Sequence, residues 1–569
     1  MKAKKISFTP EKIWNIVIFA FFAWFIFAFL IFPNLNTIVS VFFQDGQFTT
    51  VSFDKLIHSA KAMKSLRNSL ILAPALSITV GFVGISLVLI TEYFDIKGAK
   101  ILRLGYMTTL IYGGIILVSG YKFIYGKTGI LTTLFAKIIP SFPIDWFEGF
   151  WAVLFVMTFA CTSNHMIFLR NAMRAVDFQT VEAAQNMGAS QFRILTKVVL
   201  PVLTPSLLAV TFITGLSATS APLLVGGQEF QTITPMILTF SGNVSSRPLA
   251  ALLALFLGVA TILLLTVMIQ IEKRGHYMSI SKVKTTIIKQ KIRNPILNVL
   301  VHIYAYVLFL IYVIPVVLVV LFSFTDAATI ASKKLTLSSF TLDNYISIFQ
   351  KATSYKPFVV SICYSAIAAL LVAVIVLVAC RIIQKRKDRL GSALEYGLLI
   401  PWLLPTTLMA LGLITTYNTP RFWMLNQVLT GTSVIMLIGY MIIKIPFTLR
   451  MTKAAFFALD DSLEDASRNL GAKPLYTFLR VQLPIILPTV LAIFALNFNG
   501  LLGDYDMSVF MYHPLNQPLG VYIKSLTNSE TNADNAALTF VYAVLMMVIS
   551  SIVMYLVYGR GNKVDKREK

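Results

Sequence analysis

The sequence predicts an all-α integral membrane protein of about twelve transmembrane helices, built as two equivalent six-helix halves with both termini cytoplasmic. Three observations predict this. The 569-residue chain is 57% hydrophobic and only 13% charged, with a mean hydropathy of +0.77, whereas a soluble domain carries roughly 25% charged residues. Apolar runs long enough to cross a bilayer as helix, about 20 residues, recur along its whole length. One stretch is also written twice, 283 positions apart, close to half the chain.

The first run is Trp14 to Pro33, behind Met1-Lys2-Ala3-Lys4-Lys5. It is too long for a signal-peptide core and no small-x-small cleavage site follows, so it is expected to stay as a membrane anchor. The next runs are roughly 68–91, 101–121, 150–170, 199–220 and 249–271. The second half repeats the rhythm at roughly 297–324, 359–381, 394–416, 433–449, 482–503 and 538–558.

Lysine and arginine placement orients these runs. The stretch 272–296, the loop Arg381 to Arg389 and the tail from Arg560 to Lys569 are basic and fall on one side, the cytoplasmic one. The longer loops 34–67, 221–248, 325–358 and 504–537 fall on the other, where some lysines such as Lys333 and Lys334 also sit. The expected division is a first half over 1–280, a basic cytoplasmic linker over 281–296 and a second half over 297–569. The net charge of +23 sits in short loops with no basic-aromatic face, which excludes a nucleic-acid-binding reading. Cys161, Cys363 and Cys380 lie in or beside apolar runs without metal-ligand spacing, and read as small buried apolar residues.

The repeat is VEAAQNMGASQFRILTKVVLPVLTP at Val181–Pro205 and EDASRNLGAKPLYTFLRVQLPIILP at Glu464–Pro488. Asp177 precedes one copy and Asp460-Asp461 the other; Asp461 with Glu464 resembles a capping box. Glu182 and Asp465 sit in the first turns, where the helix dipole favours acid. Ala183-Ala184 and Ala466-Ser467 keep that turn thin. Gly188 and Gly471 are expected C′ residues in the left-handed conformation. A second short helix follows, with Pro474 at its start and Phe192, Leu195 and Val199, or Leu475 and Phe478, at helical spacing. Each copy thus reads as a two-helix elbow on the cytoplasmic face, over about 177–198 and about 460–481. Such elbows either pack on their own bundle or dock a soluble partner with two equivalent grooves.

Glu182-Ala183-Ala184-x-x-x-Gly188-Ala189 with Leu200-Pro201 resembles the signature of the integral-membrane subunits of binding-protein-dependent ABC importers. The second copy, Asp465-Ala466-Ser467-x-x-x-Gly471-Ala472 with Leu483-Pro484, departs from it at two positions. The resemblance covers nearly the whole chain as a tandem duplication and implies the type I permease fold (MetI-like), in which each elbow is a coupling helix. It implies a homodimeric ABC ATPase at the cytoplasmic face and an extracytoplasmic solute-binding protein, in a bacterial cell (inner) membrane. The chain itself would be non-catalytic and hold no cofactor, ATP being used by the partner.

Gly215 to Gly227, Pro401-Trp-Leu-Leu-Pro405 and Gly503 to Ser508 resemble the fused ferric-iron permeases, and also phosphonate, thiamine and polyamine permeases. Ferric iron, free or chelated, leads as the implied cargo. Candidate path residues are Asp504, Tyr505 and Asp506 at the outer end of span eleven and Ser217, Thr219 and Ser220 at the matching place in half one, because ionisable groups near a span are functional candidates. Carboxylates beside Tyr505 suit a hard cation or an amine; equally, these positions fit plain loop residues meeting water and a docked protein. His165 reads as a packed residue. Asn497 and Asn499 are about 200° apart around a helix, so at least one is expected to bond within the bundle.

Two near-matches fail. Gly126-Lys127-Thr128 ends like a phosphate-binding loop, but the required earlier glycine is Tyr121. Asp388-Arg389-Leu390-Gly391 resembles a loop of major-facilitator carriers, without the flanking residues or a first-half counterpart. An ion-coupled secondary transporter and a membrane scaffold with docking helices therefore remain the rival classes.

Overall fold

A computed structural model describes residues 10–44, 46–111, 113–174, 178–203, 214–274, 289–386, 388–457, 459, 462–527 and 533–559. The described chain is helical apart from one two-stranded ribbon, Phe43–Gln44 with Gln47–Phe48. Among the described residues, eight helices are long and apolar enough to cross a membrane: Ile16–Phe42, Ala60–Tyr93, Arg247–Leu264, Pro295–Ser323, Ala352–Lys385, Ser433–Phe457, Pro474–Leu502 and Asp534–Val557. Two further pairs pass only as broken spans, Ala99–Leu110 with Gly114–Ile138, bent by 114°, and Arg389–Leu403 with Thr406–Tyr417, bent by 105°. The fourth run forms Phe150–Arg174, apolar over Phe150–Ser163. Residues 204–213 of the fifth lie outside the described residues, as do Asp177, Asp460, Asp461, half of the basic linker and the basic tail.

The third run of each half, expected as an unbroken span, is bent. In the second half the break falls at Leu404-Pro405, where proline has no N–H to continue the ladder and disfavours helix in the residue before it. The first helix also runs further than Pro33, to Phe42. A π-helical segment, Ile26–Ile31, precedes the proline, and Asn34 Nδ2 donates to the Leu30 carbonyl at 2.7 Å.

The offset of 283 holds to the residue. Phe150–Arg174 maps onto Ser433–Phe457, Gln191–Ile194 onto Pro474–Thr477, and the π-helical segment Leu195–Val199 onto Phe478–Gln482. Each π segment stands just ahead of a Leu-Pro pair. There Leu200 and Leu483 donate five residues back, to the Leu195 and Phe478 carbonyls. The wider turn makes room for a proline ring that would otherwise clash with the carbonyl four residues earlier.

The halves interlock rather than sit side by side. Phe22, Phe25 and Phe29 of the first helix are buried in the core of the second half, with Tyr417, Tyr440 and Ile442. Tyr417 Oη donates to the Ala28 carbonyl at 2.5 Å and Trp24 Nε1 to the Trp423 carbonyl at 3.1 Å. Reciprocally, Pro295–Ser323, first helix of the second half, is buried against the first half. Tyr106 Oη donates to the Ala305 carbonyl at 2.7 Å, and the Tyr312 and Thr162 hydroxyls are hydrogen-bonded. Buried tyrosines serve here because the ring packs while its hydroxyl takes up a helix carbonyl.

Asn497 Nδ2 donates to Thr448 Oγ1 at 2.7 Å and Asn499 Nδ2 to the Ser550 carbonyl at 3.4 Å. Both asparagines therefore bond within the bundle, to different helices, as their angular separation requires. His165 is buried, with Nδ1 at 2.7 Å from the Cys161 carbonyl. Cys380 is buried and Cys161 partly so, but Cys363 is exposed, so the expectation of three interior cysteines fails at Cys363.

Candidate functional site

Each elbow is closed by the same backbone knot. Gly188 and Gly471 have φ of +79° and +80°, a region where side chains clash and glycine does not. Gly188 N–H donates to the Gln185 carbonyl and Ala189 N–H to Ala184; Gly471 donates to Arg468 and Ala472 to Ser467. These are the paired bonds of a Schellman motif, which places Ala184 or Ser467 and Ala189 or Ala472 at its two contact positions. Replacing Gly471 by valine should cost roughly 1–2 kcal/mol and loosen the turn. The check is hydrogen exchange of the Ala472 amide, expected to quicken in Gly471→Val and not in Ala472→Gly.

The second limb of the second elbow is not a separate short helix. Pro474–Leu502 is a single span, so that limb is the span's own first turns, carried through the Leu-Pro pair by the π segment. Glu182, Ala183, Asp465 and Ala466 are exposed, while Ala184 and Ser467 turn partly inward. The tip of each elbow is apolar and bare. Met187 and Leu470, related by the offset, are both 88% exposed, and Phe192 and Leu475 are 75% and 68% exposed. Phe192 and Leu475, expected at helical spacing, point away from the chain's own core.

The two elbows are fastened by opposite chemistry at matching positions. In the first, Val181, Val199 and Ile194 are buried in the apolar core, with Ala184 packed against it. In the second, the same positions hold Glu464, Gln482, Thr477 and Ser467. Glu464 pairs with Arg381 at 2.9 Å and Lys385 at 3.5 Å and accepts from Gln482 at 3.1 Å. The Ser467 and Thr477 hydroxyls are 2.8 Å apart. Partial burial would raise the Glu464 carboxyl, but Arg381, Lys385 and Gln482 outweigh it and hold the group below its usual range. The first elbow is also strapped to the end of the linker, through Gln185 to Gln290 at 2.8 Å and Gln191 to the Lys291 carbonyl at 2.9 Å.

At the far ends of spans five and eleven the two sets of candidate path residues meet. Thr219, buried, lies close enough to Asp506 across the boundary between halves to lower its pKa. Ser217 offers its carbonyl to Thr219 Oγ1 at 3.2 Å, and Ser220 begins the short helix Ser220–Val225. Asp504 acts locally. Its Oδ2 accepts from the Met507 and Ser508 amides at 3.2 and 3.0 Å, capping the turn Ser508–Met511. Tyr505 is 6% exposed. One Asp506 oxygen is buried without a hydrogen-bond partner among the described residues. Burial and the neighbouring Asp504 carboxylate push Asp506 up to about 7, against the lowering effect of Thr219.

The ordinary Asp506 value is 3.8. Between the two values the folded protein binds a proton that the unfolded chain does not, so folding stability falls as pH rises from about 4 to about 7. Asp506→Asn removes this loss. Its melting temperature should therefore gain on wild type across that window and hold the gain above pH 7; parallel curves would show that Asp506 stays ionised.

Sequence reasoning missed Lys444. It lies in the apolar run Met441-Ile-Ile-Lys444-Ile-Pro446 of span Ser433–Phe457, and its ammonium packs on Gly500, where a Cβ would stand 2.7 Å from Nζ. An ionisable group inside a span is the signal that could have found it. The offset places Cys161 at its position in the first half, so this charge has no counterpart there.

A family model for "Binding-protein-dependent transport system inner membrane component" matches residues 372–563, the greater part of the second half. Together with full-length relatives, this defines the class: the chain belongs to the permease proteins of ABC transporters. The relative "Probable ABC transporter permease protein y4fN" of Sinorhizobium fredii is 38% identical over 94% of this chain and 94% of its own length. "Ferric transport system permease protein FbpB" of Actinobacillus pleuropneumoniae is 20% identical over 93% of this chain and 76% of the relative. "Putative 2-aminoethylphosphonate transport system permease protein PhnV" of Salmonella paratyphi A is 26% identical over 42% of this chain and 90% of the relative. The chain is thus a double-length permease that crosses the membrane many times.

Proposed function

We propose that this single chain forms the whole translocation unit of an importer in a bacterial inner membrane, with an ATPase homodimer seated on its two elbows and a solute-binding protein delivering cargo to the other face. The observation that carries this reading is the pair of elbow tips. Two tips with the same glycine knot, the same register and bare apolar residues at Met187 and Leu470 suit a partner with two equivalent grooves, and a bundle-packed elbow would have buried them. The elbows do not use ATP; closure of the ATPase dimer would draw them together and shift the halves between inward- and outward-facing states.

Ferric iron is the cargo that the ferric relatives suggest, and a chelate suits this chain better than the bare ion. Among the described residues no group of three or more His, Cys, Asp or Glu could hold a metal ion, and Asp504 is occupied by its capping bonds. A phosphonate, thiamine or a polyamine would be moved by the same mechanism. Uptake into liposomes with and without a cognate ATPase and ATP tests the reading. Transport should require both; uptake without an ATPase would overturn it in favour of an ion-coupled carrier.

A further inference from the structure

The basic linker ends in a strap. Gln290 N–H donates to the Tyr93 carbonyl at 2.8 Å, and Asp95 N–H to the Gln290 carbonyl at 3.0 Å, so residues 289–293 are held beside the turn that follows span Ala60–Tyr93. The same turn is fixed to the first helix of the second half. Lys97 N–H donates to His302 Nε2 at 3.3 Å, and Tyr306 Oη to the Lys97 carbonyl at 3.2 Å. Two basic segments far apart in sequence thereby reach one corner, with Lys97 and Lys100 from one and Lys289, Lys291 and Arg293 from the other. All five side chains are exposed, and none of them forms an ion pair among the described residues. Asp95 is the one acidic residue in the two segments, 94–100 and 289–293. Backbone bonds hold these like charges at one corner, and an anion among them relieves their repulsion.

The corner stands at the head of a lipid-facing surface. In span Pro295–Ser323, directly behind Arg293, the side chains of Ile296, Leu300, Ile303 and Val307 recur at helical spacing and are all exposed. Lys100 shares a face of helix Ala99–Tyr106 with Ile101 and Leu104, also exposed. An apolar stripe that continues down a membrane-spanning helix is covered by acyl chains, and the group that stands above an acyl chain is a headgroup phosphate. The loop after span Ala352–Lys385 is the counterpart in the second half. There Arg381 and Lys385 pair with Glu464, and Arg386 pairs with Asp388 at 3.5 Å and lies over the Phe19 ring at 4.5 Å. Those three cations are answered within the protein, whereas the five of the first corner face outward.

We propose that this corner is a binding site for the phosphate headgroup of an anionic phospholipid, held between Lys97 and Lys100 on one side and Lys289, Lys291 and Arg293 on the other, with its acyl chains along the stripe from Ile296. The site bears on the first elbow. Gln185 of that elbow donates to Gln290 Oε1 at 2.8 Å and Gln191 to the Lys291 carbonyl at 2.9 Å, and both acceptors belong to the strap. A lipid that holds the strap to the turn therefore steadies the first elbow, while the second is fastened through Glu464. The consequence for transport rests on the importer reading; the lipid site does not.

The test uses the full-length chain without ATPase or binding protein. Native mass spectrometry in detergent measures binding of phosphatidylglycerol and phosphatidylcholine of equal chain length. Phosphatidylglycerol should bind more tightly. Each lysine or arginine near an anionic surface strengthens attraction roughly fivefold, so Lys289→Gln, Lys291→Gln and Arg293→Gln together should weaken phosphatidylglycerol by about a hundredfold and leave phosphatidylcholine unchanged. Lys289→Arg with Lys291→Arg should retain it, which separates lost charge from altered fold. Hydrogen exchange in nanodiscs then reads the elbow. Adding phosphatidylglycerol to phosphatidylcholine discs should slow the Asp95, Gln290, Gly188 and Ala189 amides and leave Gly471 and Ala472 as they were. Equal binding of the two lipids, or undiminished phosphatidylglycerol binding by the triple variant, would overturn the site. Inorganic phosphate slowing the same amides as fully in phosphatidylcholine discs would overturn the lipid as its occupant. Slowing at Gln290 without slowing at Gly188 would overturn the link to the elbow. The importer reading fails separately, in the uptake assay.

Discussion

Replacing Met187 and Leu470 together by glutamate is expected to abolish ATP-driven uptake while leaving the chain folded in the membrane. Both side chains are 88% exposed, and exposed substitutions away from special features usually shift stability by no more than about 0.5 kcal/mol. Their only stake is in what covers them. A central apolar residue at an interface is worth roughly 2 kcal/mol when lost, and a carboxylate placed in an apolar groove adds a desolvation penalty. Two elbows hit at once should weaken ATPase docking by well over about a hundredfold. Co-purification of the ATPase and ATP-dependent uptake should fall together, while the size-exclusion profile of the chain stays unchanged. Single variants should retain partial docking through the untouched elbow. Full uptake by the double variant would mean that the tips face lipid or water throughout the cycle.

The elbows were legible because their physics is local. A glycine that must be left-handed, thin residues at both contact positions of its knot, and a Leu-Pro pair at fixed distance all leave marks in sequence, and a repeat at 283 doubles each mark. The class of protein followed from the same residues. What escaped was set by packing or by tolerance. Pro405 was visible, yet proline occurs in both straight and broken spans; Pro484 lies inside one continuous helix because a π segment precedes it, whereas Pro405 stands at a 105° bend. The exchange of first helices between halves depends on contacts such as Tyr417 with Ala28, across 389 positions, and no periodicity encodes these. Asp504 and Asp506 look alike in sequence; only the structure divides them into a capping residue and a carboxylate with a buried, unpartnered oxygen.

The repeat suggested equivalent elbows, but their fastenings differ, and this predicts opposite responses to one substitution. Val181→Glu puts a carboxylate where Val181, Val199 and Ile194 are fully or almost fully buried in apolar core. Burying a charge without a partner costs several kcal/mol, so the first elbow should detach from its bundle and uptake should be lost. The matching residue of the second elbow is already glutamate, and there the reverse holds. Glu464→Val strands Arg381, whose side chain is 13% exposed, and removing one partner of a buried pair costs about 3–5 kcal/mol, less here because Glu464 keeps 20% exposure. Glu464→Val combined with Arg381→Leu and Gln482→Val rebuilds the apolar fastening of the first elbow at the second. It should recover much of the lost uptake, since well-packed apolar groups can replace an ion pair without loss. Protease protection of each elbow in purified protein separates the outcomes: Val181→Glu should expose only the first elbow, Glu464→Val only the second, and the triple variant neither. Equal sensitivity of both elbows in either single variant would show that the halves transmit the damage between them, and that the fastening chemistry is not what distinguishes them.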